Sequence, residues 1–219
     1  MKIAIVTETF LPSVDGVVTR LRHAVERFTD LGHEVMVIAP DLGVTEHHGA
    51  RVVGIRPVTL PFYKHRRFTL PSPNVDGIIR GFHPDVVHAA QPLLLASSGA
   101  FAARRQRIPL VASYHTHIPR YLDLYRAWTW GKPAVWWQIK RNHAMADINI
   151  ATSETMKQEL AQHARDGGAR SRAAVADASL PRDDGCGHGA ILSRPGGRTP
   201  RVPRSRAIYE CWVQCRNGT

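Results

Sequence analysis

A chain of 219 residues has room for one core, or for one core followed by a tail. Its 43% hydrophobic content is ordinary for a soluble globular protein. No apolar run approaches the roughly 20 residues of a membrane-spanning helix, and the apolar opening is broken at Glu8, too early for a signal peptide; a cytosolic location is expected. The net charge of +11 suggests an anionic partner such as nucleic acid or a membrane surface. Ten arginines and five acids after His163 supply +5 of that charge, so the portion expected to fold is only moderately basic. The cysteines, Cys186, Cys211 and Cys215, are odd in number and lack CxxC spacing, which supports neither a disulfide framework nor a zinc site.

In chain order, Lys2–Thr7 reads as a short buried parallel strand. Val18, Leu21, Val25, Phe28 and Leu31 then recur at helical steps, with Asp15 placed to cap the helix and Gly32 to end it. Strands are expected at Glu34–Ala39, stopped by Pro40, at Arg51–Ile55, and at Val86–Ala89 after the turn pair Pro84-Asp85. Leu94–Arg107 reads as a helix, Leu110–Tyr114 as a strand, Ala134–Met145 as a helix and Ile148–Ala151 as a strand. Ser153 caps a last helix reaching about Gln162. Repeated β–α units with short links predict a doubly wound, Rossmann-like parallel sheet with helices on both faces.

After His163 this grammar stops. Residues 164–219 hold 8 Gly, 8 Ala, 4 Pro, 10 Arg and no Lys. A stretch such as Ser193 to Arg204 is too rich in Gly, Pro and Arg to pack a core. The abrupt shift toward residues of GC-rich codons suggests out-of-frame translation, with a natural disordered basic tail as the alternative. The expected domains are therefore residues 1–163 and an irregular tail, 164–219.

Three constellations could carry chemistry. The loop Glu8 to Val17 leaves a strand's carboxyl end and enters a helix N-terminus, where open α/β sheets bind ligands and free N–H groups favour a phosphate. Gly16 would let such a group approach, while Asp15 is also an ordinary cap; no GxGxxG is present. Ser113-Tyr114-His115-Thr116-His117 follows a strand directly and places two imidazoles where a substrate hydroxyl or phosphate could meet them. The HxH pattern could also ligate a metal, but the later residues Asp123, His143 and Asp147 are poorly placed to complete a set. Tyr63-Lys64-His65-Arg66-Arg67-Phe68 puts basic groups between aromatics. With Trp128, Trp130, Trp136 and Trp137 it suggests a membrane surface through Lys64, Arg66 and Arg67, or simply a solvated loop.

Ile3 to Pro12 followed by Asp15-Gly16-Val17, the segment Phe82-His83-Pro84-Asp85-Val86-Val87-His88, Ser113 to Pro119, and Ala146 to Ser153 together resemble the N-terminal domain of retaining glycosyltransferases of GT-B fold. The similarity is to bacterial GDP-mannose-dependent α-mannosyltransferases and to sulfoquinovosyldiacylglycerol synthases, over about residues 1–163. It implies the acceptor-side half of a hexosyltransferase that takes a GDP- or UDP-linked sugar, needs no further cofactor or metal, and acts on a lipid or glycan, at the inner face of the plasma membrane if peripheral. It further implies that Asp15, Gly16 and Val17 form the loop meeting the donor phosphates, that His115 is the active-site histidine, and that Thr116, His117 and Tyr121 lie on the acceptor side. The strand expected to lead into a donor-binding domain is not evident after Gln162, nor is a pair of glutamates spaced to serve that domain. Activity of this chain alone is therefore not expected. The competing expectations are a non-catalytic Rossmann-like module with a basic membrane- or nucleic-acid-binding tail, and a metal hydrolase.

Overall fold

The computed structural model describes residues 1–59, 67–115, 131–166 and 174–177. In chain order the elements are β1 (Lys2–Thr7), α1 (Gly16–Asp30), β2 (Glu34–Pro40), β3 (Glu46–His47), β4 (Ala50–Ile55), β5 (Val58–Thr59), β6 (Arg67–Phe68), α2 (Asn74–Phe82), β7 (Val86–Ala90), α3 (Leu95–Gln106), β8 (Leu110–Tyr114), α4 (Lys132–Met145), β9 (Ile148–Ala151), α5 (Glu154–Asp166) and β10 (Ala174–Asp177). The main sheet has the order β10-β9-β8-β7-β1-β2-β4-β3, and β5 and β6 form a separate two-stranded ribbon. Every pairing in the main sheet is parallel except β3 with β4. This is the expected Rossmann-like architecture.

Strand alternation divides the core. Ile3, Ile5, Val35, Val37 and Val111 pack with Leu21, Val25 and Phe28 of α1. Ala4, Val6, Met36, Ile38, Val87 and Ala112 pack on the other face with Val75 and Ile79 of α2 and with Leu95, Ala96 and Ala100 of α3. Covering both faces explains why the central strands are apolar at nearly every position instead of at alternate ones. The helix α1 begins and ends as its sequence predicts. Asp15 accepts hydrogen bonds from the N–H groups of Val17 and Val18, both at 2.9 Å. At the other end Gly32, with φ +76°, donates to the Thr29 carbonyl while His33 donates to that of Phe28.

The floor of the sheet carries one device twice. Asp85 precedes β7, and its carboxylate accepts from the backbone N–H of Lys2 at 2.9 Å while its own N–H donates to the Lys2 carbonyl. Asp147 precedes β9 and treats Leu110 in the same way, at 2.9 Å through its carboxylate. Each aspartate thus clasps the first residue of the neighbouring strand and pins the pairing register at that end.

Several elements differ from the expected set. The helix α2 goes unread in the sequence because Gly77 and Gly81 weaken its helical signal and no polar cap precedes it; burial of Val75 and Ile79 holds it instead. The strand β3 is added by a tight turn at His48 and Gly49, whose φ values are +48° and +77°. The regular structure also runs beyond His163. The helix α5 ends at Asp166, and β10 pairs in parallel with β9, Val175 opposite Asn149. The Ala174-Val175-Ala176 segment is apolar and short enough to extend a sheet edge, a local signal masked by the surrounding Gly and Arg.

The helix α3 comes close to β1 at Gly99. A Cβ at Gly99 would stand 2.5 Å from the Cγ2 of Val6 and 2.8 Å from its Cβ. Val6 is buried and β-branched, so it cannot swing aside. We expect Gly99→Ala to destabilise the fold by about 1–3 kcal/mol through overpacking. In Val6→Ala, Gly99→Ala the two effects should partly cancel, because Val6→Ala removes the Cγ atoms that the new Cβ at position 99 would strike. Denaturant titration of the four proteins checks this, and strictly additive losses would contradict it.

Candidate active site

β1 lies between β2 and β7, and the chain order reverses direction there, so the carboxyl ends of β1 and β7 border the crevice where open α/β sheets bind ligands. Three side chains sit on the loops at these strand ends: Glu8 after β1, Gln91 after β7 and His115 after β8.

His115 is half-buried and held at two points. Its backbone N–H donates to Oε1 of Gln91 at 2.7 Å, and its Nε2 lies 2.7 Å from the Oγ of Ser113. The same Ser113 hydroxyl lies 2.7 Å from Nε2 of His88, which is fully buried in the middle of β7. Gln91 adopts a left-handed backbone conformation, φ +56°, and its N–H donates to the Ser113 carbonyl at 2.8 Å. The end of β8 is thereby tied to the end of β7 through both main chain and side chain. Burial holds the His115 pKa well below the ordinary histidine value, and the charges of His88, Arg20 and His143 act in the same direction. The ring is therefore neutral at neutral pH, suited to hydrogen bonding and not to carrying a fixed positive charge.

Glu8 is the residue that sequence reasoning missed. Its Oε1 accepts from the N–H groups of Leu93, Leu94 and Ala96 at 3.1, 2.7 and 3.1 Å, and its Oε2 from that of Leu95 at 3.0 Å. The carboxylate thus occupies the N-terminus of α3, where no local side chain caps the helix. Burial pushes its pKa up to about 7, with the four backbone hydrogen bonds pulling the other way. The loop that Glu8 grips is fixed from its other side as well. The Asn142 amide donates to the Pro92 carbonyl at 2.8 Å and to Ser97 Oγ at 2.7 Å, and Gln138 lies 3.3 Å from both the Leu93 carbonyl and Ser97 Oγ.

The other expected site residues are placed less centrally. Asp15 is engaged as the α1 cap and also accepts from the Thr9 hydroxyl at 3.3 Å, so the N–H groups of Val17 and Val18 point at Asp15. Gly16 is exposed, and a Cβ there would meet nothing within 4 Å, which leaves open space in front of α1. Thr116, His117, Tyr121, Lys64 and Arg66 lie outside the described residues, and Arg67 opens β6. The tryptophans of α4 separate: Trp136 packs against the cluster of Tyr114, Ile139 and Leu160, whereas Trp137 is exposed, with the Arg141 guanidinium 5.2 Å from its ring. Among the described residues, no three His, Cys, Asp or Glu side chains gather where one metal ion could be held, and no helix is long and apolar enough to cross a membrane.

The buried imidazoles link stability to pH. Burial lowers the pKa values of His88 and His143 to about 4, from an ordinary 6.5. As pH falls through 6.5 the unfolded chain takes up protons that the folded chain refuses until about pH 4, so stability is lost across that window, by about 3 kcal/mol per histidine at its end. His115 acts in the same sense. Glu8 acts oppositely: with a folded value of about 7 against 4.5, its contribution favours the folded state at low pH and is lost as pH rises through 7. Three histidines outweigh one glutamate, so the unfolding free energy at pH 5 should fall below that at pH 7. Urea titrations at the two pH values test this, and equal or greater stability at pH 5 would refute it.

An α/β domain with an imidazole and a helix-capping carboxylate at the carboxyl ends of its strands has these groups where open α/β sheets bind ligands. Residues 14–172 match Glycosyltransferase Family 4, and the chain belongs to that family. It is 35% identical over 169 residues to the GDP-mannose-dependent alpha-mannosyltransferase of Mycolicibacterium smegmatis, a match covering 74% of this chain and 45% of that protein. Identity to the protein of the same name from Mycobacterium tuberculosis is 36% over 173 residues, covering 74% and 44%. With the sulfoquinovosyl transferase SQD2 of Arabidopsis thaliana it is 32% over 149 residues, covering 67% and 29%. The chain thus spans less than half the length of these relatives.

Proposed function

We propose that this chain is the acceptor-side half of a retaining, nucleotide-sugar-dependent glycosyltransferase that transfers a hexosyl group, mannosyl foremost, from a GDP- or UDP-linked donor to a lipid or glycan. The observation that carries the proposal is His115, fixed at the end of β8 by Gln91 and Ser113 beside the sheet's crevice. Family membership supplies the reaction class, and two relatives are named for mannosyl transfer from GDP-mannose. In this proposal the donor is held mainly by a second domain, with no other cofactor and no metal. Asp15, Gly16 and Val17 shape the loop facing the donor phosphates, with Asp15 acting through the backbone it caps. Thr116, His117 and Tyr121 line the acceptor side. Lys64, Arg66 and Arg67 bring the enzyme to an anionic membrane on the cytoplasmic side, where its acceptor lies.

Residues 164–219 are, in this proposal, an out-of-frame product, and sugar transfer requires a donor-binding half besides residues 1–163. Sequencing the gene across the codons that follow His163 tests the first point: a continuous frame with no second domain in any register would refute it. Radiolabelled GDP-mannose and UDP-sugars, offered with diacylglycerol-linked and glycan acceptors, test the second. Transfer is expected only when a donor-binding half is joined to this chain. Transfer by the 219-residue chain alone, abolished by changing His115, would refute that requirement. Absence of transfer from every donor with both halves present would refute the glycosyltransferase assignment.

A further inference from the structure

Two loops meet at Glu8. Its own loop joins β1 to α1, and the other joins β7 to α3 and carries Gln91. Glu8 reaches across to accept from four consecutive N–H groups, those of Leu93 to Ala96, at 2.7 to 3.1 Å. The helix begins only at Leu95, so the bonds from Leu93 and Leu94 fix the loop ahead of it as well as its first turn. Pro92 stands between this held segment and Gln91. Its ring restricts the backbone, and its carbonyl is held by the Asn142 amide at 2.8 Å, which makes the link to Gln91 stiff. Gln91 is buried in left-handed backbone, φ +56°. It grips the end of β8 twice, donating its N–H to the Ser113 carbonyl at 2.8 Å and accepting the His115 N–H at 2.7 Å. On the other side of Glu8, the Thr9 hydroxyl donates to the Asp15 carboxylate at 3.3 Å, and Asp15 caps α1. One bonded path therefore runs from Asp15 through Thr9 and Glu8 to residues 93–96, Pro92, Gln91 and His115.

We propose that Glu8 is a positioning residue that couples the loop between β1 and α1 to the backbone of His115, acting through Pro92 and Gln91. The inference rests on the roles set out above for that loop and for His115. A polar cap at position 94 would serve α3 alone. A carboxylate brought from the end of β1 serves α3 and also ties β1's loop to the segment that carries Gln91. A shift of the loop as it meets a phosphate would then reach His115, so filling one side of the crevice sets the place of the imidazole on the other. Glu8 in this way influences where His115 stands, with Gln91 as the last link.

Amide hydrogen exchange, read by NMR on the 219-residue chain, tests the coupling without sugar transfer. In the unsubstituted chain the His115 amide should be protected no better than those of Leu94, Leu95 and Ala96, because an opening that frees them also frees Gln91. Protection of His115 about tenfold above theirs, the equivalent of one hydrogen bond, would overturn the proposal without recourse to a variant. In Glu8→Gln, exchange should quicken by about tenfold at residues 94–96 and at His115 together. The distant Gly43 amide, bonded to Asp41 at 3.2 Å, should be unchanged. Loss of protection at 94–96 with none at His115 would mean that Glu8 is a cap and nothing more. Gln91→Asn tolerates the left-handed backbone but shortens the side chain that His115 donates to. It should quicken exchange at His115 by itself, and Glu8→Gln added to it should change His115 no further. An undiminished effect of Glu8→Gln in that background would show a route other than Gln91 and would overturn the proposal. Failure of the glycosyltransferase assignment would show instead as absent transfer with these exchange patterns intact.

Discussion

Glu8→Ala is expected to lower the unfolding free energy by about 3–5 kcal/mol. The four N–H groups of residues 93 to 96 would lose their acceptor together, and each unmet donor in such surroundings is worth about 1–3 kcal/mol. Water entering the space left by the carboxylate would satisfy some of them, which holds the total below the simple sum. The favourable meeting of a negative charge with the positive end of α3 would also be lost. Glu8→Gln should fall between, since an amide presents one accepting oxygen in place of two and introduces N–H groups among donors. Glu8→Asp should resemble Ala, because the shorter side chain cannot span from β1 to the helix. Chemical denaturation measures the series, and a loss under 1 kcal/mol for Glu8→Ala would show that the loop re-forms its bonds without the carboxylate.

The second large effect concerns chemistry. In an enzyme where this chain works with its donor-binding half, His115→Ala should reduce kcat/KM by about 10²–10⁴, the span usual for a positioned hydrogen-bonding or acid–base group. The low basicity imposed by burial argues against His115 standing as a charged group, and the retention of configuration proposed above argues against it as a simple base for water. Its proposed work is to orient the transferred sugar while the bond to phosphate breaks. His117→Ala should reduce the rate less. Kinetics of both variants at fixed donor concentration decide between them, and a larger loss at His117 would move the role to that residue. Activity that required added zinc and vanished in both variants would point to metal hydrolysis instead.

These two residues also show what the sequence could and could not reveal. The strand and helix that flank His115 were legible because Leu110–Tyr114 is a short apolar run ended by polar residues, and the histidine follows it immediately. Glu8 was not, because a helix cap is sought within a few residues of the helix it serves, and this one comes from the loop after β1, 86 residues before Leu94. The cap became visible only when β1 and β7 proved to be neighbours. His88 was noticed as part of a motif, with no role attached. Its partnership with Ser113 depends on the register of β7 and β8, in which Ala90 stands opposite Ser113. A warning was nevertheless present in both strands: a polar residue inside an otherwise apolar run is expensive unless something bonds it. The missed α2 has the opposite cause, since its two glycines hide a helix held by tertiary packing.

The aspartate clasps at Asp85 and Asp147 separate two tasks that a single loop would otherwise share. Alignment of β1 with β7, and of β8 with β9, is set at the floor of the sheet, while Glu8, Gln91 and His115 occupy the mouth. Substitutions, insertions or exchanged loops at the mouth can then alter which molecule is received without letting the strands slide against one another. A slide of one residue would turn every buried side chain of a strand to the opposite face. The same scaffold can in this way be retuned for a new ligand while its foundations stay in place.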